Sequence, residues 1–184
     1  MSGLGRFCWL SLLLAAQRAR ELRASAQRER GVTGRVAAPE WFPAMVAVHV
    51  ALFVAPALEI GICQRRSRHP RTWLATLALA TCLRRWCISA LGDSWNVRGM
   101  VPEALQVSER GPYRWLRHPN YVAVIVEFAA LPLAGGAWIS ALGLSAANLA
   151  VLAPRIRAEE ALLMQDPTYR RLFSARARFI PGIF

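Results

Sequence analysis

Long apolar blocks divided by arginine-rich segments constrain this chain more than any other feature. Crossing the hydrocarbon core of a bilayer takes roughly 20 mostly apolar residues in a helix. Five blocks compete for that role: residues 7–16, 41–62, 73–91, 121–134 and 137–154. The second is the clearest, opening on Trp41 and Phe42 as interfacial anchors and enclosing His49 and Glu59. The first is short and runs straight into QRARELRASAQRER. A secretory leader is the rival reading of that block. Its leading segment carries a single arginine, however, and no small-x-small cleavage site precedes the charges. A helix that leaves the bilayer as an amphipathic, arginine-rich extension fits better. The fourth block is short for a full crossing, so tilt or a start at Pro119 must supply the length.

The expected fold is therefore an all-α integral membrane protein with about five transmembrane helices. Blocks four and five form a C-terminal helical hairpin around Gly135–Gly136, and a cytoplasmic amphipathic tail helix follows. The 184 residues make one domain, 1–184, with N-terminal spans in 1–100 and a C-terminal half in 101–184. The chain is 55% apolar yet carries a formal charge of +12, and all 23 of its basic residues are arginine. A nucleic-acid surface would explain the charge, but no soluble domain separates the apolar blocks, so no nucleic-acid partner is expected. Anionic head groups against the non-spanning segments account for both properties.

Arginine-rich regions at 18–35, 98–117 and the C-terminal tail all face the cytoplasm if five spans are drawn with the tail inside. This places the protein in a bacterial inner membrane with its polar face inward. The loop QRRSRHPR between blocks two and three opposes that assignment. Cys8, Cys63, Cys82 and Cys87 form no CxxC pair and read as small packing residues. With only three histidines, no metal centre is expected.

Blocks three and four are joined by a stretch rich in turn formers, from which turns and a small β-hairpin are expected. Three polar groupings stand out. Residues 111–121, GPYRWLRHPNY, concentrate aromatic, cationic and imidazole groups in front of a helix that Pro119 is suited to start. An interfacial belt would have the same composition. Asn148, Leu152, Arg155 and Glu159 share one helical stripe, with Glu160 beside it, and Pro154 is expected to kink that helix. Arg155 and Glu159 alone would make an ordinary i, i+4 pair. Arg84, Arg85 and Glu127 place charge inside apolar blocks, where an isolated charge costs about 3 kcal/mol. A Glu127–arginine pair in the bundle would reduce that cost.

Taken in order, GPYRWLRHPNY, RIRAEEALL and RFIP resemble the isoprenylcysteine carboxyl methyltransferase family, small multi-span enzymes that use S-adenosylmethionine. The family pattern is G-P-Y-R-x-x-R-H-P-x-Y, then R-x-x-x-E-E, then R-F-x-P. It is supplied by Gly111 to Tyr121, by Arg155 with Glu159 and Glu160, and by Arg178 to Pro181. The chain departs from it after Glu160, where the family's F-G-x-x-Y is replaced by Met164-Gln-Asp-Pro-Thr-Tyr169. QRARELRASAQRER, His49 and LRRWCISALGDSWNVR are also similar to a bacterial branch associated with type III polyketide synthases, whose members methylate hydroxyls of alkylpyrones and alkylresorcinols.

The resemblance implies that 101–184 binds S-adenosylmethionine through Tyr113, His118, Pro119, Asn120, Tyr121, Arg155, Glu159 and Glu160. It implies a lipid-like substrate contacted by Arg84, Arg85 and Asn148, with His118 or Glu127 as proton acceptor. An arginine fork can clamp the cofactor's carboxylate, and glutamate can accept bonds from ribose hydroxyls. Tyr121, or Trp115 as second choice, would face the sulfonium. An ionised acceptor needs only positioning, whereas a neutral phenol must lose its proton. The rival enzyme is a membrane NADPH-dependent sterol-type reductase, which shares R-H-P-x-Y. Its Gly-Glu after the tyrosine is Val122–Ala123 here. A non-enzymatic basic scaffold on anionic lipid would explain the charge but not the Asn148–Arg155–Glu159 stripe.

Overall fold

A computed structural model describes residues 3–180, so Pro181 of the third motif lies outside the described residues. The helices are α1 (Gly3–Arg28), α2 (Phe42–Cys63), α3 (Pro70–Leu91), α4 (Pro119–Gly135), α5 (Trp138–Leu163) and α6 (Pro167–Phe173). Short 3-10 turns precede α2, follow α3 and cover Gly111–Arg114. Among the described residues, three helices are long and apolar enough to cross a membrane: α2, α3 and α5. Apolar block one and its arginine-rich extension form the single helix α1, and α4 is a shorter apolar helix of 17 residues.

The second block exposes its lipid face in a regular stripe. Val46, Val50, Val54, Leu58 and Ile62 recur every fourth residue and are all exposed, while Leu52, Pro56 and Ile60 point inward. Leu52 and Ile60 join Phe7, Leu77, Val124, Phe128 and Leu131 in the main core. Helix α3 packs on α4, α4 on α5, α5 on α2, and α1 lies against α2 and α4. The two carboxylates inside apolar blocks, Glu59 and Glu127, have partners on other helices. Glu59 accepts from the backbone N–H of Ile139 (3.1 Å) and Ser140 (2.7 Å), capping the N-terminus of α5, where a carboxylate meets unpaired donors. Glu127 is buried and pairs with Arg18 of α1.

Helix α5 runs unbroken through Pro154. The expected hairpin inside 92–121 does not form. Instead Met100–Pro102 pairs antiparallel with Gly34–Val36, which ties the polar loop to the end of α1. Pairing with a distant strand supplies ladder partners that the turn-rich loop could not give itself. Between α4 and α5 the chain reverses at Gly136, whose φ is +94° and whose added Cβ would lie 2.6 Å from the Arg66 carbonyl carbon. Gly136→Ala is therefore expected to destabilise the protein by about 1–3 kcal/mol, read as a lower unfolding midpoint in detergent.

The departure after Glu160 ends α5 at Leu163. Asp166 caps the short helix α6, its Oδ1 accepting the Tyr169 backbone N–H at 2.8 Å. The tail then returns to the first-motif region, where Ala177 bridges Leu116 and the N–H groups of Arg117 and His118 donate to the carbonyls of Ala177 (2.9 Å) and Arg178 (3.1 Å).

Candidate functional site

Two cavities meet at the end of the bundle where α1 finishes, α4 begins and the 92–118 loop folds over. The first has a volume of about 130 Å3 and is the less apolar of the two, with the polar groups of Tyr113, His118, Tyr121, Glu159 and Tyr169 in its wall. The second has a volume of about 350 Å3 and is mostly apolar, lined by α1, α2 and the inner ends of α3, α4 and α5. Trp95, Asn96, Asn120 and Tyr121 line both, so a single layer of side chains separates them.

The first turn of α4 positions His118, Asn120 and Tyr121. His118 stands at its N-cap with Pro119 at the first helical position, buried as helix starter rather than as cavity wall. The Tyr121 hydroxyl donates to Glu159 Oε2. Arg155, one turn before Glu159, is 3% exposed, and its Nη2 donates to the Val97 carbonyl at 3.1 Å. Its Nε and Nη1 are buried with no hydrogen-bond partner among the described residues. Gly99 lies over this pair, close enough that an added Cβ would approach Arg155 Nη2 at 3.5 Å and Glu159 Oε2 at 3.8 Å. Backbone at φ +70° without a side chain lets the loop close on the guanidinium. Burial, then the neighbouring Cys87 and Glu159, raises the Tyr113 pKa well above its ordinary value; burial and the Glu159 and Glu160 carboxylates raise that of Tyr169. Both phenols are therefore hydrogen-bond donors in the cavity wall, not bases.

Glu160 lines neither cavity. Its carboxylate receives His118 Nε2 (3.1 Å), Arg117 Nη1 (3.4 Å) and Arg178 Nη2 (2.8 Å). This cluster locks α5, the start of α4 and the returning tail together, and Glu160 meets the first cavity only through His118, which lines it. Arg84 turns inward and lines the second cavity, donating from Nε (3.0 Å) and Nη2 (2.8 Å) to Glu21 and from Nη1 to Asn120 (3.2 Å). Arg85, next along the helix, is exposed and reaches neither cavity, because adjacent helical positions point about 100° apart. Glu127 also lines neither cavity, its carboxylate being engaged by Arg18. Asn148 is buried with an unpartnered Nδ2 and is absent from both walls. Trp115 is exposed, stacked under the Arg114 guanidinium at 3.8 Å.

Sequence reasoning missed the contribution of α1. Arg18 and Glu21, three residues apart on one helical face, both line the second cavity. The signal was a lone glutamate in an arginine-rich helix, placed to pair with inward cations. Trp95, Asn96 and Gly99 lay in a loop with no periodicity to single them out. His49 lines the second cavity as well, from the middle of α2.

Comparison with known proteins bears on the same region. The model of the isoprenylcysteine carboxyl methyltransferase (ICMT) family matches residues 73–165, just over half of the chain. That stretch holds the shared wall of the two cavities and both acidic residues of the second motif; the tail motif lies beyond it. The chain is also similar to the uncharacterized protein YpbQ of Bacillus subtilis (strain 168), 29% identical over 165 residues, covering 85% of this chain and 96% of that protein.

Proposed function

Because the chain belongs to the isoprenylcysteine carboxyl methyltransferase family, we propose that it moves a methyl group from S-adenosylmethionine to an oxygen of a lipid-like acceptor. The observation that carries this reading is the pair of cavities with one shared wall. A chamber with clustered polar and aromatic side chains beside a more apolar one suits a charged donor and a greasy acceptor that must meet at one point.

In this reading Glu159 and the Tyr113 and Tyr169 hydroxyls offer acceptors and donors to a nucleoside in the first cavity, and Arg155, which lines the second cavity one turn from Glu159, offers its unpartnered N–H groups to the amino-acid carboxylate. The buried guanidinium is the fit test, since unpaired donors of that charge require an anion. Tyr121 and Trp95, in the shared wall, present ring faces to a sulfonium. The cofactor supplies an electrophilic methyl; the protein aligns the acceptor oxygen and excludes water. The first cavity is below the roughly 300–1,000 Å3 of ordinary ligand pockets. The 94–108 loop covers it, with Ser94, Met100, Leu105 and Ser108 in the cavity wall.

The acceptor is an alkylpyrone or alkylresorcinol hydroxyl, or a prenylcysteine-type carboxylate. Its chain leaves between α1 and α2, where the second cavity is lined by Leu22, Val46 and Val50. We read α1 and α4 as inserted in the membrane beside the three long spans, with the two-cavity end facing the cytoplasm. Arginines 18–35, 98–117 and 170–178 gather at that end.

The test is calorimetric titration of purified protein with S-adenosylhomocysteine, with NADPH run in parallel. S-adenosylhomocysteine should bind and NADPH should not; the reverse result would sink the reading. Glu159→Ala should weaken S-adenosylhomocysteine binding by roughly 10-fold or more, the worth of one or two hydrogen bonds to a charged group.

A further inference from the structure

Methyl transfer as proposed leaves one side chain of the acceptor cavity without a role. His49 lines that cavity from α2. Its Nδ1 lies 2.8 Å from the Met45 carbonyl oxygen one turn earlier. A carbonyl oxygen only accepts, so Nδ1 carries the proton and Nε2 presents its lone pair. Phe128 packs edge-on against the ring, centroids 5.0 Å apart, and fixes its plane. No hydrogen-bond partner occupies Nε2 among the described residues.

The other titratable or charged groups of the cavity are already engaged. Glu21, from α1, accepts from Gln17 on Oε1 and from Arg18 and Arg84 on Oε2. Tyr121, from α4, donates to Glu159. Arg18, Arg84 and Arg155, from α1, α3 and α5, are cations that cannot accept a proton. An available lone pair on a titratable group therefore belongs to His49.

Resting on the methyltransferase reading, we infer that His49 Nε2 is the general base for the acceptor, and that the acceptor is a neutral ring hydroxyl of phenol or enol type rather than a carboxylate. The hydroxyl proton passes to Nε2. The oxygen's electron pair forms the new bond to the methyl carbon as the carbon–sulfur bond breaks, and that pair stays on sulfur as a neutral thioether. The imidazolium then gives its proton to water. A carboxylate acceptor, already ionised, would leave this base unused.

The experiment uses the full chain in detergent, labelled S-adenosylmethionine, and two acceptors with the same pentadecyl chain. One is a resorcinol, neutral at neutral pH; the other is a dinitrophenol, ionised there. His49→Asn keeps a donor for the Met45 carbonyl and removes Nε2. It should lower the turnover of the resorcinol by roughly 100-fold or more, the usual worth of general base catalysis. Turnover of the dinitrophenol and binding of S-adenosylhomocysteine should be unchanged. Equal losses on both acceptors would reassign His49 to packing and overturn the inference, as would no loss on either. A wild-type protein that methylates a prenylated cysteine but neither ring compound would overturn it while leaving the methyltransferase reading intact. Failure of the wild type to bind S-adenosylhomocysteine at all would remove both.

Discussion

Glu21→Ala is expected to be the most destabilising single change away from the core, lowering the unfolding free energy by about 3–5 kcal/mol, the usual effect of removing one partner of a buried ion pair. Glu21 holds two cations at once. Its Oε2 receives Arg18 Nη1 at 2.8 Å and Arg84 Nη2 at 2.8 Å, and the side chains of Glu21 and Arg84 are 10% and 8% exposed. Arg18 in turn pairs with the buried Glu127. The four charges form a chain through α1, α3 and α4, and cutting it at Glu21 strands Arg84 without an anion. Denaturant titration in detergent micelles measures the loss. Glu21→Gln should recover part of it, because the amide oxygen still accepts from a guanidinium. Equal stability of Glu21→Ala and wild type would mean that water reaches Arg84 and that the network is not buried as described.

Arg155→Gln should move stability and cofactor affinity in opposite directions. Two buried N–H groups of Arg155 have no partner among the described residues, so the resting protein bears an incompletely satisfied cation. Removing that charge should leave the melting midpoint unchanged or raised, even though the bond to the Val97 carbonyl is lost. Hydrogen bonds to charged groups contribute about 1.5–3 kcal/mol, so the Kd for S-adenosylhomocysteine should rise roughly 10- to 150-fold. Calorimetry and a thermal melt on the same preparation read both quantities. A lower midpoint with unchanged affinity would make Arg155 a structural cation and refute its assignment to the cofactor.

Helix periodicity placed Arg155 and Glu159 on one stripe, and the structure joins them to Tyr121 under Gly99. Motif order brought His118 and Tyr121 to the start of α4, where a proline-led helix begins for local reasons. The same reasoning did not separate these residues from their sequence neighbours. Glu160 and Arg85 each sit one position from an inward side chain, and one position on a helix is a turn of about 100° toward another environment. Glu127 was read either as a proton acceptor or as the partner of an arginine in the bundle; the structure pairs it with Arg18, a residue 109 positions away in sequence.

By itself the sequence determined the helical membrane character, the order of the elements and the ends of several of them. Hydropathy, proline at helix starts and glycine at the α4–α5 reversal act over a few residues and are legible one segment at a time. Only the tertiary structure decided which charges pair, that strand 100–102 seeks strand 34–36, and that α1 supplies Arg18 and Glu21 to the second cavity. Those outcomes depend on which helix faces come together. A chain whose cations are all arginine offers many equivalent partners for each carboxylate. Packing chooses among them, because a buried charge tolerates only the partner that the surrounding helices bring within reach.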